Sequence, residues 1–473
     1  MQQKSELPEG WEFVSFEDVL EINPSKPPKD VVSPDTPVTF VPMPAVDAVS
    51  GEITDPEIRP FSEVRKGYTA FQNDDVIFAK ITPCMENGKA AVARNLLNNL
   101  GFGSTEYIVF RSKGAILPDY LYHYIRQESY RKLAESNMTG SVGQKRVPKD
   151  FVQYSMIPLP PLSEQHRIVS AIEALFARLD ATNEKLDRVQ EILKKFRESV
   201  LAAACDGRLT EEWRKENLHC NEYFAIDEDQ FNLVKQWRIP TVWSWSTLED
   251  SCSHVVDCPH STPKWTDIGV YCVRTSELKC GHIDFSNAKY VSEATYLERI
   301  KRLKPQEGDI LYSREGTVGI ASLVPSNVKI CLGQRLMLFR TKNNLIPSFF
   351  VKVLNSPYIY DSVKKSTMGS TAPRFNVADI KKFPTPLPPL PEQQEIVRRV
   401  DALFAFADSI ETKVAAAREK TEKLRQSILA KAFSGELVET EAEIARREGR
   451  DYETAEVLLE RIKEKKGKEE KRR

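Results

Sequence analysis

The chain has 473 residues, 41% hydrophobic and 29% charged, which describes a globular protein with material for more than one core. No run approaches the ~18 consecutive apolar residues of a membrane span, and the opening MQQKSELPEGWEF lacks the apolar stretch of a secretory signal, so a cytoplasmic protein with no membrane role is expected. The eight Cys are scattered as reduced thiols would be, and 67 basic against 68 acidic residues (net charge −1) argue against bulk coating of nucleic acid while leaving local basic faces open.

In chain order, residues 1–157 open on a proline turn and a tryptophan (Pro8 to Trp11) and continue as a mixed α/β block. Its β-branched and aromatic runs, Asp75-Val-Ile-Phe78 and Glu106-Tyr-Ile-Val-Phe110, read as strands, Pro118 to Ile125 reads as a helix, and Gly140-Ser141 marks a loop. Residues 158–215 begin PLPPLSEQ and predict a long helix with its apolar seam on Ile168, Ile172, Leu175, Leu179, Leu186, Val189, Leu193, Phe196 and Val200, broken only by Thr182. Residues 216–238 read as a polar, acidic linker. The second block, 239–385, repeats the proline turn and tryptophans (Pro240, Trp243, Trp245). It then shows strand runs at Gly269–Val273, Asp309–Tyr312 and Leu336–Phe339, a helix from Pro347 to Leu354, and a Gly369-Ser370 loop. Residues 386–435 begin PLPPLPEQ and carry a second seam on Ile396, Val400, Leu403, Ala407, Ile410, Val414, Ala417, Leu424 and Ile428, broken by Thr421. Residues 436–473 end in RIKEKKGKEEKRR, which reads as a charged, solvated tail.

The two PLPP segments are identical at seven of eight positions, at an offset of 228 residues that holds well beyond them. Leu175-Phe176-Ala177 matches Leu403-Phe404-Ala405, Asp180 matches Asp408, Arg197 matches Arg425, and Gly207 matches Gly435. Two long units at this spacing are a duplicated module rather than a solenoid. The 3.5-residue seam is that of a coiled coil; PLPP suits an extended, polyproline-like entry, and the two glycines suit helix stops. A helix of about 37 residues, roughly 55 Å long, needs a partner helix for its stripe, and the other copy is nearest. The expected fold is α+β: two mixed α/β domains joined by two long helices forming an antiparallel coiled coil, with pseudo-twofold internal duplication. Two separate coiled coils serving dimerisation are the alternative.

Catalytic signatures are missing. There is no GxxxxGK[ST] loop, no GxGxxG after a strand and no GxSxG elbow, and Ser356-Pro-Tyr lacks the second proline of the amino-methyltransferase tetrapeptide. Cys252, His254, Cys258, His260, Cys272, Cys280 and His282 lie within 31 residues but include no CxxC pair, so buried thiols and a polar loop are expected rather than zinc.

Loops suited to a DNA duplex occur in both blocks. In the first, Lys80, Thr82, Asn87 and Lys89 flank a Pro/Gly turn, and TGSVGQKR (139–146) offers Ser141, Gln144, Lys145 and Arg146. In the second, the candidates are His260, Ser261, Thr262 and Lys264, together with Arg314, Arg335, Arg374 and Asn376, the last two from the stretch TMGSTAPRFN (367–376). Lys and Arg hold phosphates, and Arg, Asn and Gln reach base edges in pairs of hydrogen bonds.

With PLPPLSEQ…IVSAIEALFARLDATNEKL, PLPPLPEQQEIVRRVDALFAFADSIETKV, the LPEGW opening and the DCPHSTP loop (257–263), the sequence resembles the specificity subunits of type I restriction–modification systems over residues 7–440. The resemblance implies two target-recognition domains, each reading one half of an asymmetric bipartite sequence in double-stranded DNA, and helices that set the spacing and dock two methyltransferase subunits. It implies no catalysis and no cofactor in this chain. S-adenosylmethionine, ATP and Mg would act in the methyltransferase and restriction/translocase partners. A coiled-coil scaffold without a DNA role and a stand-alone enzyme are the rival readings.

Overall fold

The computed structural model describes residues 7–28, 31–141, 143–220, 222–225, 237–367 and 374–470. It divides into two compact units: unit 1 takes Met1–Lys185 with Ala416–Arg473, and unit 2 takes Leu186–Ala415. Each unit therefore holds one mixed α/β block and one half of each long helix, Leu162–Cys205 and Leu390–Ser434.

In unit 1 an antiparallel sheet runs in the order Leu20–Ile22, Tyr107–Ser112, Val76–Ala79, Ala90–Val92. A second sheet runs Glu57–Pro60, Pro37–Val41, Gly101–Gly103, Thr69–Phe71, with its middle pair parallel. Unit 2 repeats the first sheet as Cys252–Asp257, Leu336–Thr341, Ile310–Ser313, Ala321–Leu323. Its second sheet runs Trp265–Thr266, Tyr290–Val291, Val270–Val273, Ile330–Leu332, and again contains one parallel pair. The edge strands differ: among the described residues, Thr69–Phe71 has no counterpart beside Ile330–Leu332, and Trp265–Thr266 has none beside Glu57–Pro60. The blocks look only weakly alike in sequence, yet they share the order of the first sheet and the three-strand mixed core of the second.

The Asp that leads each strand run explains part of this likeness. Asp75 and Asp309 are both 1% exposed. Each accepts a two-pronged arginine from the neighbouring strand: Arg111 to Asp75 at 2.9 and 2.7 Å, and Arg340 to Asp309 at 2.8 and 2.8 Å. Each also accepts the backbone N–H three residues before it, from Gln72 and Gln306. A buried carboxylate is tolerated here because an arginine neutralises it and both of its oxygens accept hydrogen bonds, three in all.

The PLPP segments are extended, as expected, but half of each is strand. Met156–Leu159 pairs antiparallel with Glu12–Ser15, and Pro384–Leu387 pairs with Ser244–Thr247. The Glu and Gln that follow tie each helix start to its block. Gln165 accepts Leu117 N–H and donates to the carbonyls of Ala115 and Pro160, and Gln393 does the same with Ile346, Asn344 and Pro388. Glu164, fully buried, accepts Trp11 Nε1 (3.0 Å) and the Glu441 N–H (2.8 Å). Glu392 accepts Trp243 Nε1 (2.8 Å), Thr210 Oγ1 (2.7 Å) and Arg214 Nε (3.0 Å). Burial raises the Glu164 carboxyl above its usual range, and the two donated N–H groups oppose that shift.

The long helices pair antiparallel within each unit. In unit 1 Arg425 bonds Asp180 and lies 4.3 Å over the Phe176 ring; in unit 2 Arg197 bonds Asp408 and lies 5.7 Å over Phe404. The offset of 228 relates the two sets, with the roles of the helices exchanged. Exposed ion pairs contribute about 0–1 kcal/mol each, whereas each large seam residue contributes about 1.5–3 kcal/mol when fully buried. The apolar seam therefore holds the helices and the ion pairs favour one register. Ile168, Ile172, Leu193, Val200, Ile396, Val400 and Val414 are buried, and Leu175, Leu179, Leu186, Val189, Phe196, Leu403, Ile410 and Ile428 are half-buried.

Two seam expectations need correction. Thr182 faces out and bonds the Arg178 carbonyl, while Asn183 turns inward and accepts Thr421 Oγ1 at 3.1 Å. Leu424 is 44% exposed, and Arg425 and Leu429 take the inward positions around it. A straight helix of 3.6 residues per turn drifts against a 3.5-residue pattern, so inward positions slip by one residue along these lengths.

The linker and tail are also corrected. Within 216–238, Tyr223–Ala225 pairs with Arg238–Pro240, and Trp237 is fully buried, donating Nε1 to the Cys205 carbonyl. Within 436–473, helices Glu441–Glu448 and Ala455–Glu470 fold onto unit 1: Ala455 and Leu458 join its core, and Glu441 pairs with Arg167 and Arg450. The apolar residues between the charges made this possible, and a count of charges alone hid it. Gly207 and Gly435 both adopt φ +80, and a Cβ on either would overlap a proline ring, Pro240 or Pro8 respectively. These are the prolines of the two Pro-x-x-Trp turns. Among the described residues, no helix is long and apolar enough to cross a membrane.

Candidate nucleic-acid interface

The loops nominated in unit 1 meet at the end of strand Val76–Ala79. Thr139 and Arg146 exchange backbone hydrogen bonds (3.0 and 2.8 Å), making a ladder whose tip carries exposed Ser141 and Gln144. Thr82 N–H and Oγ1 both donate to the Lys145 carbonyl, and Val147 N–H donates to that of Lys80. The Lys80 and Lys145 side chains have no hydrogen bond or ion pair among the described residues, and Asn87 is exposed. Lys89 is occupied: its Nζ donates to the Met43 carbonyl at 2.9 Å. Arg146 Nε and Nη2 grip the Glu106 carboxylate at 2.9 Å each, and that hydrogen bond holds Glu106 below the usual carboxylate range.

In unit 2 the Asp257–Lys264 loop is tied down through its backbone. Buried Arg299 donates to the carbonyls of Leu332, Ser261 and Pro259, Arg302 donates to that of Asp257, and Gln334 to that of His260. Thr262 and Lys264 stay exposed on this fixed base, as do the His260 and Ser261 side chains. A loop whose backbone partners are already in place loses little entropy when it meets a ligand. Arg314 is 6% exposed and paired with Asp257 (2.9 Å) and Glu315 (2.8 Å), so it braces the loop. Arg335, at φ +70, is exposed and lies 3.8 Å from Glu315. Asn376 caps helix Val377–Lys381, accepting the Ala378 N–H. Arg374 bridges Glu315 through its backbone, and its exposed side chain has no partner among the described residues. Gly369 and Ser370 lie outside the described residues.

Both groups of candidates are therefore brought together from distant sequence. The organising residues Glu106, Glu315, Arg299 and Gln334 went unnominated. Each acts through a backbone carbonyl or a remote arginine, for which local sequence gives no sign beyond an acid or cation at a strand end.

The Cys/His group of residues 252–282 disperses. Cys252, Cys258 and Cys272 enter three different apolar clusters, while His254, His260 and Cys280 are exposed. Burial pushes the Cys252 thiol up to about 12. Among the described residues, no group of three or more His, Cys, Asp or Glu is placed to hold a metal ion.

Comparison with known proteins places this architecture. A family model for the type I restriction modification DNA specificity domain matches residues 8–191 and 273–417. The EcoKI specificity subunit of Escherichia coli strain K12 is 31% identical over 338 residues, covering 70% of this chain and 68% of its own. The EcoEI specificity subunit of Escherichia coli is 26% identical over 498 residues, covering 88% and 81%. The HsdS subunit of Thermoanaerobacter tengcongensis shares the fold at 22% identity and a TM-score of 0.54, covering 92% of this chain and 99% of its own. With two matching blocks, each carrying its own loop cluster, the chain belongs to the type I restriction–modification DNA specificity family.

Proposed function

We propose that this chain is the sequence-reading, non-catalytic subunit of a cytoplasmic type I restriction–modification complex. Each recognition domain reads one half of an asymmetric bipartite DNA target. The paired helices set the gap and dock two methyltransferase subunits, and restriction/translocase subunits complete the assembly. S-adenosylmethionine, ATP and Mg act in those partners. The observation that carries this reading is one frame present twice, bearing different exposed polar and cationic loops at the corresponding strand ends.

Inserting one heptad into both helices tests it in the assembled complex. Both half-sites should stay the same and the gap between them should change. An unchanged gap would show that the helices do not set spacing. Methylation by the isolated chain with S-adenosylmethionine would overturn the non-catalytic assignment.

A further inference from the structure

Arg146-Val147 and Arg374-Phe375 are related by the offset of 228 and occupy one structural place in the two units. Val147 and Phe375 are buried, and their N–H groups donate to the carbonyls of Lys80 (2.9 Å) and Arg314 (2.8 Å). Those two residues follow the equivalent strands Val76–Ala79 and Ile310–Ser313. The next residue along, Ile81 or Glu315, forms a β-bridge with Arg146 or Arg374. The stretches leading in, TGSVGQK and TMGSTAP, agree at only their first position when aligned at this offset, yet each is followed by arginine.

Two domains reading different half-sites cannot encode their difference in a residue that both keep at the same place. What the half-sites share is the phosphate backbone, and a guanidinium matches a phosphate with two parallel hydrogen bonds. Arg146 has the free donors to do so. Glu106 takes Nε and one Nη2 hydrogen and the Gln144 carbonyl takes one from Nη1, so of its five N–H groups one on each terminal nitrogen remains free among the described residues. Arg374 has all of its donors free among the described residues.

We propose that Arg146 and Arg374 are equivalent phosphate clamps, seating each recognition domain on the DNA backbone without reading sequence. This rests on the DNA-reading function above. Glu106 is a positioning residue that fixes the first clamp and, by its negative charge, weakens its grip relative to the second.

The test uses the assembled methyltransferase complex carrying R146A, R374A, R146K, R374K or E106Q. It records DNA affinity against salt together with the methylated sequence. R374A should weaken binding roughly tenfold or more and flatten the log affinity–log salt slope by about 0.9. R146A should do less, the lysine variants should keep most of the slope, and E106Q should tighten binding. The methylated sequence should stay the same throughout. A changed or relaxed base in either half-site would overturn the proposal, as would unaltered affinity and slope in a folded R374A complex. If alanine variants melt early, the lysine and E106Q results decide the question on folded protein. A wild-type complex without salt-dependent, sequence-specific binding would instead defeat the underlying function, before any variant is compared.

Discussion

The two units keep the same frame down to single hydrogen bonds and differ where they meet solvent. Trp11–Glu164 and Trp243–Glu392, Asp75–Arg111 and Asp309–Arg340, and the Gln165 and Gln393 networks are copies. The loops are not. Unit 1 projects the Thr139–Arg146 ladder, which at the offset of 228 keeps only the first and last residues of TMGSTAPR (367–374), and unit 2 adds a loop at Asp257–Lys264 that arginines fasten through its backbone. The frame is preserved because its polar groups are buried and satisfy one another, so a change on one side strands a partner. The loops satisfy their backbones locally and are free to diverge.

The sharpest way to break this likeness is at the buried glutamates. Glu392→Ala should cost about 3–5 kcal/mol, because it leaves the fully buried Arg214 guanidinium without its carboxylate. Glu164→Ala should cost about 1–3 kcal/mol, since it strands only neutral N–H donors. Denaturant unfolding of the full chain measures both, and equal losses would mean Arg214 is not the difference between the units.

A pH-dependent term from a buried histidine should appear in unit 1 and not at the corresponding position of unit 2. Buried His123 is held down to about 3 by desolvation, so folded protein keeps it neutral where the unfolded chain protonates near 6.5. Stability present above pH 6.5 is therefore lost as pH falls toward 3, by about 2 kcal/mol at pH 5. The corresponding helical position in unit 2 holds Lys352, paired with Asp401. His123→Gln should flatten the melting-temperature profile between pH 6.5 and 5. A profile that stays equally steep would assign the loss to other groups.

The smallest effect tests the symmetry of the helix pair. Arg197→Ala and Arg425→Ala should each lower stability by about 1 kcal/mol or less, and by similar amounts, since their carboxylate partners are exposed. A loss confined to one variant would show that the two contacts are not equivalent.

Much of the frame was legible in the sequence. PLPP with its Glu-Gln, the seam, the Pro-x-x-Trp turns and the glycine stops each recur, and recurrence separates signal from accident. The tail was misread because charges outnumber the few residues that bury it, Ala455 and Leu458 among them. Leu424 was misplaced because a pattern of threes and fours conceals a slow rotation of the helix face. The loop clusters were legible as residue types but not as roles. Nothing local distinguishes Arg314, which braces a loop from inside, from Arg374, whose side chain has no partner among the described residues. That difference is set by Asp257, 57 residues away in sequence from the arginine it holds.

The central claim is that one frame, used twice, reads two separate pieces of DNA. Methylome sequencing of a host carrying the complete system tests it most directly, with the natural chain and with one whose 257–264 loop is replaced. The account predicts a motif in two specified halves around an unspecified gap, with the loop exchange altering one half only. A single uninterrupted motif, or a change in both halves, would contradict it.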